Sequence, residues 1–299
     1  MSLGRSRIPI AMVMSASMAS LAVADSSGAA IPDPGAEANV PTTAVSLAET
    51  TVATTASTSV AEGSIDGMFD IGGRSLFIAC RGSGTPTLWF LVGTDWPSNQ
   101  MVSIEDRFVD DVRVCHYDRA GEGQSDPPAT PATVETVVED LAALLDAAAV
   151  PPPYVLVGQS VGGDQAWLFA DRHPEGVAGL LMMNAGFFEL DWEQLDGVLT
   201  DTEIDGERSY SEQNLGPVLQ AATPPDDIAY TVMMSTDAQC ETPGDICHRI
   251  YPFFEAWGEE LAGRTPNGRL VSVEAGHEIW PSEPDVVDAE IQRLIDLAR

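Results

Sequence analysis

Short apolar segments alternate with helical periodicities from Phe69 to the end of the chain. Seven segments predict strands because they are brief, rich in branched side chains and bounded by turn residues. They span residues 74–79, 87–92, 112–117, 154–157, 177–183, 228–234 and 270–273. Strands that alternate with helices predict an α/β fold, in which helices cross over a mostly parallel sheet.

Two segments show clear helical periodicity. In each, apolar residues recur at three- and four-residue spacing, which predicts an amphipathic helix with one buried face. The first face consists of Val134, Val137, Val138, Leu141, Leu144 and Leu145, and the second of Val286, Val287, Ile291, Leu294 and Ile295. Three consecutive prolines at 151–153 stop anything helical before the strand that follows them.

The N-terminus has the order of a secretory signal. Arg5 and Arg7 precede a mostly apolar run, which ends in the small residues Ala22-Val23-Ala24. We therefore interpret residues 1–24 as a signal peptide and expect a secreted, extracellular protein; an uncleaved membrane anchor is the alternative. Residues 25–63 lack aromatic side chains and predict a disordered leader rich in Ala, Thr and Ser, or else a stalk associated with the cell wall.

Charge narrows the range of partners. The 299 residues include 46 acidic and 14 basic ones, all of the latter arginine, for a formal net charge of -32. Such a chain repels nucleic acid, so we expect no nucleic-acid partner. After the signal no apolar run approaches the roughly 20 residues that span a bilayer, so no membrane span is expected in the mature protein. The sequence leaves the oligomeric state open.

A serine turn is the strongest chemical motif. The strand at 154–157 runs into Gly158-Gln159-Ser160-Val161-Gly162-Gly163, and a helical pattern follows at once. A serine on such a turn is lifted out of the strand end, and glycines flank it because side chains there would strike neighbouring backbone. The start of the helix also presents free N–H groups to an anion. An ordinary turn with an inert serine is the alternative.

The chain from Phe69 to Arg299 resembles the alpha/beta-hydrolase family. Besides the serine turn, residues 118–126 (DRAGEGQSD) are similar to the family's D-R-x-G-x-G-x-S-D loop. The resemblance implies a central sheet of about eight strands with helices on both faces, in a domain covering residues 64–299. Three residues depart from common members: Val92 and Gln159 stand where histidine is frequent, and Asn184 stands where aspartate often ends the sixth strand.

A serine nucleophile needs a base and an acid that orients the base. The resemblance implies His277 as the base, on the last loop before the C-terminal helix. His116 and His173 are expected to be structural, and His248 is a reserve candidate. By chain order the acid is Asp237, just beyond the strand at 228–234, with Asp245 and Glu241 as alternatives. We expect activity to rise with pH through about 6 to 7 as His277 loses its proton.

Two backbone N–H groups should stabilise the oxyanion. The resemblance assigns them to Val161, directly after the nucleophile, and to Thr94, in the loop after the strand at 87–92. No cofactor is expected. Metal binding is the weaker interpretation of the four cysteines, because no histidine or cysteine pair has ligand spacing.

An exported chain with four cysteines predicts two disulfides. Cys80 and Cys115 lie on strands that are neighbours in the family's sheet, so the resemblance favours this pair. Cys240 and Cys247 would then close a small loop near the acid. Residues 184–227 contain many acidic side chains and predict either a short lid or a solvated connection.

The leading hypothesis is a secreted serine hydrolase that cleaves a small to medium carboxylic ester through an acyl-enzyme intermediate. An exopeptidase or amidase similar to the proline iminopeptidases, acting on short peptides, is the nearest alternative. A non-catalytic extracellular binding protein on the same fold is the alternative from another class. Epoxide hydrolases and haloalkane dehalogenases are disfavoured, since they use aspartate where this chain has Ser160.

Overall fold

The computed structural model of the protein describes residues 64–93, 96–129, 132–185, 215–236 and 253–299. The strands among these residues are β1 Ile65–Asp70, β2 Ser75–Arg81, β3 Thr87–Leu91, β4 Arg113–Tyr117, β5 Tyr154–Gln159, β6 Val177–Met183, β7 Ala229–Ser235 and β8 Gly268–Val273. The α-helices are α1 Val102–Glu105, α2 Val134–Ala147, α3 Val161–Arg172, α4 Leu215–Ala221, α5 Phe254–Ala262, α6 Ile279–Ser282 and α7 Pro284–Ala298. Short 3-10 helices occupy Ser98–Met101 and Pro174–Gly176.

The strands form one sheet in the order β1-β2-β4-β3-β5-β6-β7-β8. β2 runs antiparallel to both of its neighbours, and every other adjacent pair is parallel. The predicted α/β fold with about eight strands is therefore confirmed. Because the six strands from β3 to β8 run the same way, their carboxyl ends share one edge of the sheet, where ligands bind in open α/β sheets.

Helices cover both faces, as predicted. α2, α3 and α5 pack on one face, where their buried side chains join those of Trp89 and Leu156. α1 and α7 pack on the other face, against Leu88, Phe90 and Val157. Successive residues of β3 and β5 thus contribute to opposite cores, since side chains alternate across a strand.

Strand β1 was missed by the apolar pattern. Its side chains alternate only between half-buried and exposed, and Asp66, Gly67 and Asp70 have low strand propensity. β1 is an edge strand that pairs with β2 alone. β5 extends two residues beyond its predicted end, because Gly158 pairs with both Leu91 and Met182.

A disulfide joins Cys80 to Cys115, which confirms the predicted pair. The two residues are direct cross-strand partners of β2 and β4, with their Cα atoms 4.1 Å apart. Both are buried in the core on the α2 and α3 side. The bridge therefore fastens the antiparallel edge pair to the parallel part of the sheet.

Several predictions lie outside the described residues. These are the signal peptide at 1–24, the leader at 25–63, most of the lid segment at 184–227, Thr94, Asp237 and the Cys240–Cys247 pair. In the part of the chain that the structure does describe, no helix combines the length and apolarity needed to cross a membrane.

Candidate active site

Ser160 lies at the junction of β5 and α3, in a backbone conformation that residues other than glycine rarely adopt. Its φ is 56° and its ψ is -131°. Two hydrogen bonds hold this turn: the Ser160 N–H donates to the carbonyl of Met183 at 2.9 Å, and the Gly163 N–H donates to the carbonyl of Ser160 at 2.8 Å. Backbone strain of this kind persists only where the surrounding structure enforces it, and it is concentrated at functional sites.

The glycines around Ser160 allow this turn to pack. A Cβ atom on Gly158 would lie 2.4 Å from the Gly162 carbonyl oxygen, and one on Gly162 would lie 2.1 Å from that of Leu91. On Gly163 it would meet the Ala185 side chain at 2.4 Å. Only glycine fits these positions, so α3 begins directly against the ends of β3 and β5. Val161 is the first residue of that helix, where N–H groups have no partner one turn earlier.

The loop after β3 passes beside the serine. A Cβ atom on Gly93 would lie 3.4 Å from that of Ser160. The buried guanidinium of Arg119 donates to the carbonyl of Val92 at 3.0 Å and to that of Gly93 at 2.6 Å, and it also pairs with Glu122. Both carbonyls are therefore turned toward Arg119.

The loop at 118–126 holds Arg119 in place. The buried Asp118 carboxylate accepts hydrogen bonds from the Gln124 N–H at 2.8 Å and from the Ser98 hydroxyl. Gly123 has a φ of 50°, and a Cβ atom there would overlap the Asp118 carboxylate. The family-like motif thus has a physical role here, which is to anchor the loop that runs beside Ser160.

His277 lies on the loop between β8 and α6, at the same edge of the sheet as Ser160. Its backbone carbonyl accepts hydrogen bonds from Gln159 Nε2 and from Asn184 Nδ2, both at 2.8 Å. Its ring nitrogen Nδ1 is buried and has no hydrogen-bond partner among the described residues. Desolvation disfavours the charged imidazolium and lowers the pKa of His277 to about 3. The ring is therefore neutral near pH 7 in these surroundings.

Asn184 connects three strand ends and was not predicted as a site residue. It follows β6 with a φ of 42°, is fully buried, and uses both ends of its amide. Nδ2 donates to the carbonyls of Gly276 (3.2 Å) and His277, and Oδ1 accepts from the N–H and the hydroxyl of Ser235 at 2.9 and 3.0 Å. The sequence signal that could have found it was a polar residue directly after a buried strand.

The chain that leads to the predicted acid is also anchored at this edge. Thr236 donates its N–H to the carbonyl of Val273 at 2.7 Å, four residues before His277. Asp237 comes next in the sequence and lies outside the described residues.

Two other histidines occupy different surroundings. His116 is buried within β4, and its Nδ1 lies 2.7 Å from Glu105 Oε1. His173 follows α3 and packs its ring on Phe169, 4.8 Å between centroids. His248 lies outside the described residues. Among the residues that are described, no cluster of three or more histidine, cysteine or acidic side chains could hold a metal ion.

The family model for the alpha/beta hydrolase fold matches residues 83–234. Because this is more than half of the chain, the protein belongs to that family. The matched region includes the serine turn and the Arg119 loop and ends before β8 and His277.

Curated relatives match over shorter stretches. An uncharacterised protein of Bacillus subtilis, YbdG, is 27% identical over 119 residues, which are 39% of this chain and 37% of that protein. An uncharacterised protein of Schizosaccharomyces pombe is 42% identical over 76 residues, 25% of this chain and 14% of that protein. The chain thus spans less than half the length of either relative.

Solved structures resemble the chain over most of its length. The E-2-(acetamidomethylene)succinate hydrolase has a TM-score of 0.55 at 18% identity, covering 78% of this chain and 99% of its own. The enol-lactonase from Burkholderia xenovorans LB400 has 0.55 at 18% identity, covering 77% and 100%. The esterase from Exiguobacterium antarcticum has 0.55 at 16% identity, covering 77% and 99%. At these identities the likeness establishes the fold alone.

Proposed function

We propose that the protein is a secreted serine hydrolase that cleaves a small to medium carboxylic ester through an acyl-enzyme intermediate. One observation carries the proposal: Gln159, the residue directly before the strained Ser160, donates to the backbone of His277 at 2.8 Å. A nucleophile and a neutral imidazole on adjoining chain segments are what acyl transfer requires.

In the proposed mechanism, the Ser160 hydroxyl attacks the ester carbonyl while His277 accepts its proton. The resulting tetrahedral oxyanion is stabilised by the backbone N–H groups of Val161 and Thr94. His277 then protonates the departing alcohol, which leaves an acyl group on Ser160. Water, deprotonated by His277, then attacks the acyl carbon. His277 returns the proton to the Ser160 oxygen, and the carboxylic acid leaves. Asp237 orients the imidazole and stabilises its charged form.

The anchoring of the loop beside Ser160 supports the oxyanion assignment. Arg119 binds the Gly93 carbonyl at 2.6 Å, so the described part of the loop that leads to the proposed donor is held beside Ser160. We therefore assign the second donor to Thr94.

Two kinds of observation support an exported ester hydrolase. Structures that share this fold include proteins named as an esterase and as an enol-lactonase. The Cys80–Cys115 disulfide is typical of proteins that fold in oxidising compartments, which agrees with the predicted signal peptide at 1–24. We propose an extracellular location on these grounds.

Covalent labelling tests the function directly. We expect a fluorophosphonate probe to modify the wild-type protein at Ser160 and not to modify Ser160→Ala. The exposed Ser272 on β8, whose hydroxyl donates to Glu255 of α5, provides the control: Ser272→Ala should be labelled like the wild type. A wild-type protein that is not labelled would indicate a binding protein without this chemistry.

Substrate comparison tests the reaction class. The purified protein should hydrolyse p-nitrophenyl esters of short and medium acids, and the activity should disappear in Ser160→Ala. Faster turnover of aminoacyl anilides than of these esters would instead identify an exopeptidase or amidase.

A further inference from the structure

We propose that Asn184 and Gln159 are positioning residues, which hold the backbone of His277 in place relative to Ser160. The kinetic effects expected from this role depend on the proposed function. The hydrogen bonds from which the role is argued are observed in the structure.

Both amides bind the same atom. The carbonyl oxygen of His277 accepts from Gln159 Nε2 and from Asn184 Nδ2, each at 2.8 Å. A carbonyl oxygen has two lone pairs, so two donors from different strands fix the orientation of the peptide plane. Because the imidazole is attached to the same residue, fixing this peptide restricts where the ring can lie. Gln159 and Asn184 are fully buried, so both donors are held inside the fold.

The two donors come from the strands that also define the serine turn. Gln159 is the last residue of β5 and precedes Ser160, while Asn184 follows β6, whose Met183 carbonyl accepts the Ser160 N–H. A displacement of either strand end would therefore move the nucleophile and the base together. The arrangement couples the two sides of the site through their backbones.

Asn184 extends the same network toward the proposed acid. Its Oδ1 accepts from the N–H and the hydroxyl of Ser235, two residues before Asp237. All hydrogen-bonding capacity of this amide is thus directed at two segments, the loop after β8 and the end of β7. An aspartate could replace only the accepting half, and its charge would face the carbonyls of Gly276 and His277.

This geometry separates position 184 from the role of the orienting acid. Asn184 Nδ2 contacts the backbone of His277, and the ring nitrogen Nδ1 has no partner among the described residues. The residue therefore acts through the position of His277 and makes no contact with the proton that the imidazole transfers. Asn184→Asp, which keeps the shape and removes the donor, tests the two roles against each other.

The first experiment measures ester hydrolysis and fluorophosphonate labelling of Asn184→Asp from pH 5 to pH 8. At pH 8 we expect a 30-fold or greater loss in kcat with KM within about threefold, because the ionised carboxylate repels the two carbonyls. A carboxyl buried among carbonyls has a raised pKa, so it regains a proton, and with it an O–H donor, toward pH 5. The ratio of variant to wild-type activity should therefore rise at least fivefold on acidification.

Asn267→Asp is the matched control. Asn267 also donates its side-chain amide to a backbone carbonyl, that of Asp226 at 2.8 Å, but it is exposed and precedes the opposite end of β8. Its activity ratio to the wild type should stay near one at every pH. A flat ratio for Asn184→Asp would overturn the proposal, as would full activity at pH 8.

The second experiment uses hydrogen exchange, which does not depend on activity. In Asn184→Asp and in Gln159→Glu we expect faster amide exchange of residues 274–279 at pH 8 than in the wild type, with no change there in Asn267→Asp. Unchanged exchange in both variants would overturn the positioning role. If the wild-type protein is not labelled by fluorophosphonate but the exchange changes as expected, the proposed function fails while the anchoring of this loop stands.

A third variant separates positioning from acid function. If position 184 could act as the orienting acid, Asn184→Asp would restore activity to Asp237→Asn. We expect the double variant to be no more active at pH 8 than Asp237→Asn alone, and restoration by tenfold or more would overturn the proposal. Gln159→Glu provides an independent test, since it changes the other residue that donates to the carbonyl of His277.

Discussion

His116 lies within strand β4, and His277 lies on the loop after strand β8. The hydrogen-bonding surroundings of the two imidazole rings differ. In the β4 region, Nδ1 of His116 is 2.7 Å from Glu105, and Arg81 binds the other oxygen of that carboxylate at 3.0 Å. In the loop after β8, the backbone of His277 is held by two amides, and its Nδ1 has no partner among the described residues.

The difference separates a structural histidine from a candidate base. The contact of His116 Nδ1 with the Glu105 carboxylate links β4 to α1. His277 is held through its backbone carbonyl, and its Nδ1 has no hydrogen-bond partner among the described residues. Desolvation also lowers its pKa, so the ring is neutral near pH 7, the protonation state in which a general base acts. A base must be held in position and must have a ring nitrogen free to accept a proton, and of these two histidines His277 fits this description better.

Replacing each histidine by alanine should give the largest contrast. His277→Ala should lower kcat for a p-nitrophenyl ester about 10⁶-fold, the scale seen when the base of such a triad is removed. Its unfolding in urea should change little. His116→Ala should retain kcat/KM within about threefold per folded molecule but lose about 2 kcal/mol of unfolding free energy, because the buried Glu105 loses a hydrogen bond.

The comparison would fail if His116→Ala lost activity and His277→Ala lost stability instead. An active His277→Ala protein would remove the proposed base and direct attention to His248. A fully stable His116→Ala protein would show that Arg81 alone satisfies Glu105.

Asp237→Asn should give the next largest effect on the loop region. The amide retains the shape of the side chain but cannot stabilise an imidazolium, so we expect kcat to fall about 10⁴-fold. The measurement is ester hydrolysis at pH 8, with Asp245→Asn and Glu241→Gln as matched variants. A larger loss in either of these than in Asp237→Asn would reassign the acid.

Removing the disulfide should affect the β4 region and leave the loop region unchanged. Cys80 and Cys115 are 35 residues apart in sequence, and a loop of that size predicts a loss of about 3 to 4 kcal/mol when the bridge is removed. The double variant Cys80→Ala and Cys115→Ala should therefore unfold at lower urea concentration with kcat/KM unchanged. Equal loss of activity and stability would show that the two regions are coupled.

Much of the serine turn could be predicted from sequence because its determinants are local. Gly158 and Gly162 lie within two residues of Ser160, and together with the strand before them and the helical pattern after them they imply a turn that excludes side chains. The disulfide required one further step, namely that β2 and β4 are neighbours, which came from the family resemblance.

The amides that anchor His277 could not be predicted in this way. Gln159 and Asn184 bind a carbonyl that lies 118 and 93 residues away in the sequence. Their role depends on which strand ends become neighbours and on side-chain direction at those ends, neither of which periodicity specifies. In sequence they were visible only as departures from common family residues.

The smallest expected effect concerns the pH at which His277 becomes a base. From the residue type alone, the proton should be lost between about pH 6 and 7. Desolvation among the described residues lowers the pKa of His277 to about 3. A carboxylate at position 237 would favour the imidazolium and raise that value. We therefore expect kcat/KM of the wild type to rise with pH and reach half its plateau between about pH 3 and 6.5, below the ordinary pKa of histidine.

The same shift predicts the pH dependence of stability. Between the lowered folded pKa and the ordinary unfolded value of about 6.5, the unfolded chain binds more protons at His277, so the unfolding free energy should rise with pH in that window. His277→Ala should remove this contribution, while His116→Ala should keep it.

In Asp237→Asn the midpoint of the activity profile should move at least one pH unit lower than in the wild type, and an unmoved midpoint would show that Asp237 does not act on the imidazole.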